Sequence, residues 1–146
     1  MTAHIGGPES DDAVDARHAR YMRMWGTGEA NMFAIIDTSL PLANGQGVGG
    51  VGWWPTQWHD EDVYEAGWHV MPEAQGRGIA RAAVSLAIAD AKVRGERRLL
   101  TAFPSISNAA SNRLCESLGF SHRGIESFQF RGTTLAVNAW ALDLTA

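Results

Sequence analysis

The sequence predicts an α/β fold: a mixed, mostly antiparallel sheet with one parallel step in its middle and helices at its side. Three observations carry this. Tyr64 to Met71 has strand propensity and stops at Pro72, Ile79 to Arg94 takes helical apolar spacing and stops at Gly95, and Glu96 to Phe103 reads as a strand closed by Pro104. A strand, a helix and a strand in that order make a parallel pair with a right-handed crossover. Asn44-Gly45, a strong hairpin signal, separates the strand Met32 to Ile36 from the strand Gly47 to Trp54. Phe120 to Phe130 and Thr133 to Leu144 then form a closing antiparallel pair across Arg131-Gly132.

The elements follow in chain order. Met1 to Ser10 reads as loop, broken by Gly6-Gly7-Pro8. Ser10 or Asp11 caps a helix over roughly Asp12 to Trp25, whose first turn is acidic and which Gly26, Gly28 and Asn31 end. The run Gly47 to Gly52 spells Gly-x-Gly-x-x-Gly, but a dinucleotide site needs a helix after it, and Trp53-Trp54-Pro55 follows instead. Those glycines are expected to allow close packing or a bulge. Pro55 to Asp62 is expected to be a loop, its acidic run Asp60-Glu61-Asp62 a solvated tip that also suits a cationic amine. The helix after Gly78 has only a narrow polar stripe of Arg77, Arg81, Ser85 and Lys92, so it is expected to be well buried. Asn108 caps the next helix, which buries Leu114, Cys115 and Leu118 and ends at Gly119.

Length and composition bound the function. The 146 residues suit a single domain spanning 1–146 with one core. A net charge of -4 argues against a general nucleic-acid partner. No apolar run is long enough to span a bilayer, so no membrane role is expected. The single cysteine excludes an internal disulfide framework and fits a reducing, cytoplasmic setting. The five histidines and the cysteine show no metal-ligand spacing, and no metal is expected.

The chemistry gathers at the strand-to-helix junction. The first N–H groups of a helix lack internal partners, and the helix dipole leaves positive charge there. Glycines at 76 and 78 let an anion approach the main chain closely, and Arg77 and Arg81 add charge. A turn with glycines for geometry alone is the plainer alternative.

Gln75-Gly76-Arg77-Gly78-Ile79-Ala80 resembles the Gln/Arg-x-x-Gly-x-Gly/Ala signature of the GNAT superfamily of N-acetyltransferases. Asn108 to Phe120, with Ser111, Leu114, Cys115, Glu116, Gly119 and Phe120 at the matching places, is similar to a second segment of that family. The resemblance runs from about Phe33 to Leu144, and its look is nearest to the ribosomal-protein N-terminal acetyltransferase branch. It implies a sheet whose two central parallel strands splay apart, with the pantetheine arm of acetyl-coenzyme A in the gap. It further implies main-chain bonds from Val70 and Met71 to pantetheine, a side-chain bond from Asn108, and a pyrophosphate cradle formed by Gln75, Gly76, Arg77, Gly78, Ile79, Ala80 and Arg81. Members usually open with a strand and a helix ahead of the region placed here at Ala3 to Trp25. Residues 1–31 are therefore expected to be an atypical or truncated N-terminal region. Tyr21, Met24 and Trp25 are candidates to line the acceptor cleft, with packing on the sheet as the plainer alternative.

Acetyl transfer needs a neutral amine, a polarised thioester and a proton or hydrogen bond for the leaving thiolate. A lysine-like amine near pKa ~10.4 costs about 4.6 kcal/mol to deprotonate at pH 7, and an α-amine near ~7.8 costs about 1.1. Glu65 is the leading base: it shares a strand face with Gly67 and His69, and the resemblance puts a carboxylate there. A strand carboxylate paired with a basic neighbour is the alternative. Glu126 is the second candidate, and His69 is expected to be a packed histidine. Many relatives carry a tyrosine at the position of Cys115 that protonates the thiolate. Cys115 is shorter, so it is either the acid or a buried packing residue, and Ser111, one turn earlier, is the other candidate for that bond.

These readings converge on transfer of an acetyl group from acetyl-coenzyme A to a primary amine, on a small molecule or a peptide N-terminus. A coenzyme A-binding module without turnover is the alternative. Relatives often pair, and Trp53, Trp54 and Trp58 are expected to stay partly exposed, which together suggest a homodimer.

Overall fold

The computed structural model describes residues 30–36, 47–130 and 132–146. The helix expected over Asp12 to Trp25, the cleft candidates Tyr21, Met24 and Trp25, and the Asn44-Gly45 turn lie outside these residues. Six strands form one sheet: β1 (Asn31–Ile35), β2 (Gly49–Trp58), β3 (Glu61–Val70), β4 (Leu99–Ala102), β5 (Ser121–Phe130) and β6 (Thr133–Asp143). Their spatial order is β1-β2-β3-β4-β6-β5, and every pair is antiparallel except β3 with β4. Helices α1 (Ile79–Arg94) and α2 (Ala109–Ser117) complete the described chain. The fold is the mixed α/β class expected, with its single parallel step.

The parallel pair opens after a short contact. Its register holds Tyr64 against Leu100 and Glu65 against Thr101, after which β3 runs on to Val70 without it. The chain leaving β4 stays with β6 instead: Asn138 N–H donates to the Pro104 carbonyl at 2.9 Å, and Ser105 bridges Val137. The two strands are held on diverging partners, and a gap opens between them.

Both helices pack on one face of the sheet. Tyr64, Ala66, Trp68 and Val70 of β3 share that face, because side chains alternate along a strand. The Trp53 indole, paired across from Ala66, donates to Asp90 of α1 at 2.9 Å, and Trp68 donates to Ser111 of α2 at 3.2 Å. Val84, Leu100 and Cys115 are wholly buried in the core between them. Gly95 follows α1 for a packing reason: a Cβ there would meet the Tyr64 ring and the Ala91 carbonyl, each at 2.5 Å. The opposite face of β3 carries Val63, Glu65, Gly67 and His69, beside Trp54 and Trp58 of β2.

Three expectations need correction. Pro55 to Asp62 is not a loop: β2 runs through Pro55 to Trp58, and His59-Asp60 alone turns the chain into β3. Proline is accommodated because the ladder to β3 bonds through its neighbours, while its own nitrogen points past the end of β1, whose register stops at Trp53. Helix α1 is not buried on nearly all sides. Ala83, Val84, Ala87 and Ala91 face the sheet, whereas Leu86 and Val93 are 72% and 84% exposed, since no described element covers the outer face. Trp53 and Trp54 are buried, Trp53 under α1 and Trp54 against Gly67, so they lend no support to a homodimer.

Candidate active site

The junction of β3 and α1 is built from two left-handed glycines. Gly76 has φ +79° and Gly78 φ +75°, a region that disfavours a Cβ. A Cβ at either would meet nothing within 4 Å, so the space above the turn is open. Gly78 is the N-cap of α1 and supplies no side-chain cap, so the first-turn amides of Ile79, Ala80 and Arg81 point into that space. Successive N–H groups around left-handed residues form a concavity that suits an anion. Arg77 stands exposed beside it, and Arg81 reaches back to donate to Ser117 of α2 at 2.5 Å, tying the two helices together. Gln75 faces away from the cradle: its amide donates to the Val70 carbonyl at 2.9 Å and closes the turn onto β3.

The strand end leads into the gap. Strand alternation turns the N–H and C=O groups of Trp68 and Val70 towards the β4 side, beyond the end of the parallel register. Met71 is placed differently: its N–H donates to the Val48 carbonyl at 2.8 Å and its carbonyl accepts from Ala74 at 2.9 Å. Its amide is thus engaged by β2, away from the gap where a pantetheine bond was expected. Asn108 caps α2 as expected, its side-chain oxygen accepting from Ser111 N–H at 3.2 Å. Ser111 is buried, and its hydroxyl oxygen accepts from the Trp68 indole.

Glu65 sits in the last registered β3–β4 pair, half-buried at the mouth of the gap. It lies on the face opposite the helices, whereas Ser111 lies on the helix face. The two candidates therefore flank the gap from opposite sides of the sheet. His69 is exposed on the Glu65 face, its ring 2.8 Å from where a Gly50 Cβ would stand, which accounts for one glycine of the 47–52 run.

A family model described as the acetyltransferase (GNAT) domain matches residues 1–121. The chain belongs to this family. No curated protein matches the sequence significantly. Among solved structures, an N-acetyltransferase from Staphylococcus aureus Mu50 superposes with TM-score 0.72 at 24% identity, covering 99% of this chain and 83% of that one. A putative acetyltransferase, yncA of Salmonella typhimurium, solved with acetyl-coenzyme A, gives TM-score 0.66 at 26% identity over 89% and 73% of the two chains. A ribosomal-protein-alanine N-acetyltransferase from Brucella melitensis gives 0.69 at 24%, over 88% and 77%. As a GNAT protein the chain is an acetyl-coenzyme A-dependent acetyltransferase, and the open glycine cradle fits the pyrophosphate of that co-substrate. Among the described residues no helix is long and apolar enough to cross a membrane.

Within the GNAT frame Cys115 stands in the core, wholly buried. Burial pushes its thiol from 9.0 up to about 12, against a smaller lowering by a backbone hydrogen bond. Proton transfer from such a group to a thiolate of ordinary pKa ~8.5 is uphill by about 5 kcal/mol. The position expected to hold either an acid or a packing residue thus holds a poor acid. The raised pKa means that the folded state binds the proton more tightly than the unfolded chain. That contribution is intact below pH 9 and is lost as pH rises towards 12. Cys115→Ala is expected to cost about 1–2 kcal/mol at pH 8 through lost packing. The gap between wild type and variant should narrow by up to about 2 kcal/mol by pH 10.5, because only the wild type carries the titrating thiol. Urea denaturation at the two pH values measures this, and a gap that does not change with pH would remove the titration argument.

The sequence assigned Trp58 and His59 no part in the site. The Trp58 indole donates to Glu126 Oε2 at 2.9 Å, and His59 Nε2 lies 3.0 Å from the same oxygen. A two-residue turn was the missed signal: His59 and Asp60 have φ +51° and +63°, the pattern of a tight hairpin in which His and Asp are among the residues that tolerate positive φ.

Proposed function

We propose that this GNAT protein transfers the acetyl group of acetyl-coenzyme A directly to a primary amine, on a small molecule or a peptide N-terminus. The observation that supports this best is the arrangement about the gap, with an anion cradle at the start of α1, Ser111 on the helix face and Glu65 at the mouth on the other face. In this reading Gly76, Arg77, Gly78, Ile79, Ala80 and Arg81 hold the pyrophosphate, with Gln75 bracing the turn. Val70, Asn108 and the neighbouring main chain guide the pantetheine arm. The acceptor enters from the Glu65 face. A new N–C bond forms to the acetyl carbon, the C–S bond breaks, and the sulfur leaves as thiolate. Glu65 takes the proton that the amine gives up, directly or through a water. The Ser111 hydroxyl, whose oxygen accepts from Trp68, keeps its own hydrogen to offer the thiolate. A ribosomal-protein-alanine N-acetyltransferase among the structures of this shape keeps a peptide amine among the acceptor classes.

One observation favours a binding module without turnover: the buried Cys115 where many relatives place an acid. Two measurements separate the readings. Acetyl-coenzyme A at 100 times its dissociation constant adds about 2.7 kcal/mol and should raise the melting temperature by roughly 5–10 °C under both. Release of coenzyme A thiol with a panel of primary amines is expected only for the enzyme. A melting shift with no thiol release from any amine would sink the proposed activity.

A further inference from the structure

We propose that Glu126, framed by Trp58, His59 and Phe103, anchors a second cationic group of the acceptor, so that the preferred substrate carries two amines and is acetylated at one. The inference rests on the acetyl-transfer reading only for which amine reacts; the anchor itself is a binding site.

The side chains come from three elements. Trp58 and His59 stand at the tip of the β2–β3 hairpin, Phe103 follows β4, and Glu126 lies in β5. The Trp58 and Phe103 rings meet edge to face with centroids 6.1 Å apart, and Trp58 and His59 lie 4.8 Å apart. By strand alternation Trp58 falls on the same face as Trp54 and Glu65, the face away from the helices. The hairpin tip and β5 are thereby clasped together on the side from which the acceptor enters.

Glu126 is only half satisfied by this clasp. Both of its hydrogen bonds converge on Oε2. Oε1 takes none from any described residue, although the carboxylate is 31% exposed and so reachable from solvent. A carboxylate beside aromatic rings sees a lower local dielectric than one in open water, which strengthens its pull on a cation. Its surroundings supply no competing Lys or Arg from the hairpin: residues 49–70 hold Asp60, Glu61, Asp62 and Glu65 and neither basic residue. His59 is the one side chain there that competes for the carboxylate as a cation when protonated, and it engages Oε2.

Chemistry decides which cation belongs there. An ammonium hydrogen-bonded to a carboxylate is held protonated and cannot attack a thioester. The group at Glu126 is therefore the one that does not react, while the amine near Glu65 is the one that does. A diamine, or a peptide with an N-terminal amine and a basic side chain, meets both requirements.

The test compares α,ω-diamines with alkyl monoamines of the same length, titrated calorimetrically in the presence of coenzyme A so that turnover is not needed. Wild type is expected to bind the best-fitting diamine about tenfold more tightly than its monoamine, as one partly exposed charge-assisted bond would give, and the preference should shrink as salt rises. Glu126→Gln should erase both the preference and its salt dependence. Trp58→Phe, which keeps a ring but removes the indole donor that orients the carboxylate, should weaken the preference. No diamine preference in wild type at any length, or an unchanged preference in a folded Glu126→Gln, would overturn the proposal. Failure of the acetyl-transfer reading would show instead as absent thiol release with the diamine preference intact.

Discussion

Replacing Gly78 by asparagine is expected to abolish acetyl-coenzyme A binding while leaving the protein folded. Asparagine is the side chain that best tolerates the left-handed backbone found at Gly78, φ +75°, so the strain is small. The new side chain, however, projects into space that holds no protein atom within 4 Å and that the first-turn amides of α1 face. A phosphate there forfeits its close approach to those amides. Two charge-assisted hydrogen bonds at about 1.5–3 kcal/mol each correspond to a loss of at least about 100-fold in affinity. Gly132→Asn is the matching control: Gly132 has φ +76° and equally open surroundings, but it sits at the β5–β6 turn. Calorimetric titration should show binding to wild type and Gly132→Asn and none to Gly78→Asn. Retained binding in Gly78→Asn would place the pyrophosphate elsewhere.

That glycine turn was legible in the sequence because left-handed backbone at a strand-to-helix junction favours a residue without a Cβ. The same holds for α1, whose bounds Ile79–Arg94 follow from the apolar spacing and from Gly95, and for Asn108 as the cap of α2. What stayed hidden was set by tertiary contacts. Pro55 reads as a strand breaker, and nothing local reveals that its nitrogen points beyond the last residue of a neighbouring strand. Leu86 reads as core, since periodicity shows which residues are apolar but not whether anything covers them. Gln75 and Met71 matched their expected places along the chain, yet their polar groups are drawn to Val70 and to Val48 and Ala74. The pairing of Glu126 with Trp58, 68 residues away, has no sequence signature at all.

The two faces of the gap bear on the order of the site's tasks. Ser111, Asn108 and the α1 cradle lie with the helices, the side from which the proposed function brings the co-substrate to the gap. Glu65, His69 and the Trp58–Glu126 clasp lie on the other side, where the proposed function has the acceptor enter. This separation lets acceptor preference change on one face without altering the cradle on the other. It also explains why the cradle was readable and the acceptor was not. The cradle is main chain and glycine, contiguous in sequence, whereas the acceptor face draws on β2, β3, β4 and β5.

Glu65→Gln is expected to lower turnover by about 10²–10³ with acetyl-coenzyme A affinity unchanged, the range typical for loss of a positioned general base. Glutamine keeps the size and the hydrogen-bonding reach of the side chain, so the last β3–β4 pair should stay in register. The loss should depend on the acceptor. An α-amine near pKa ~7.8 is already partly neutral at pH 7 and needs about 1.1 kcal/mol, whereas a lysine-like amine near ~10.4 needs about 4.6. The variant should therefore be hurt more with the lysine-like acceptor. Its kcat/KM should rise about tenfold per pH unit up to the amine's own pKa, as solvent hydroxide replaces the missing base. Steady-state rates for the two acceptors between pH 6.5 and 9.5, with the co-substrate saturating, test this. A variant whose rates follow wild type across that range would remove Glu65 from proton transfer.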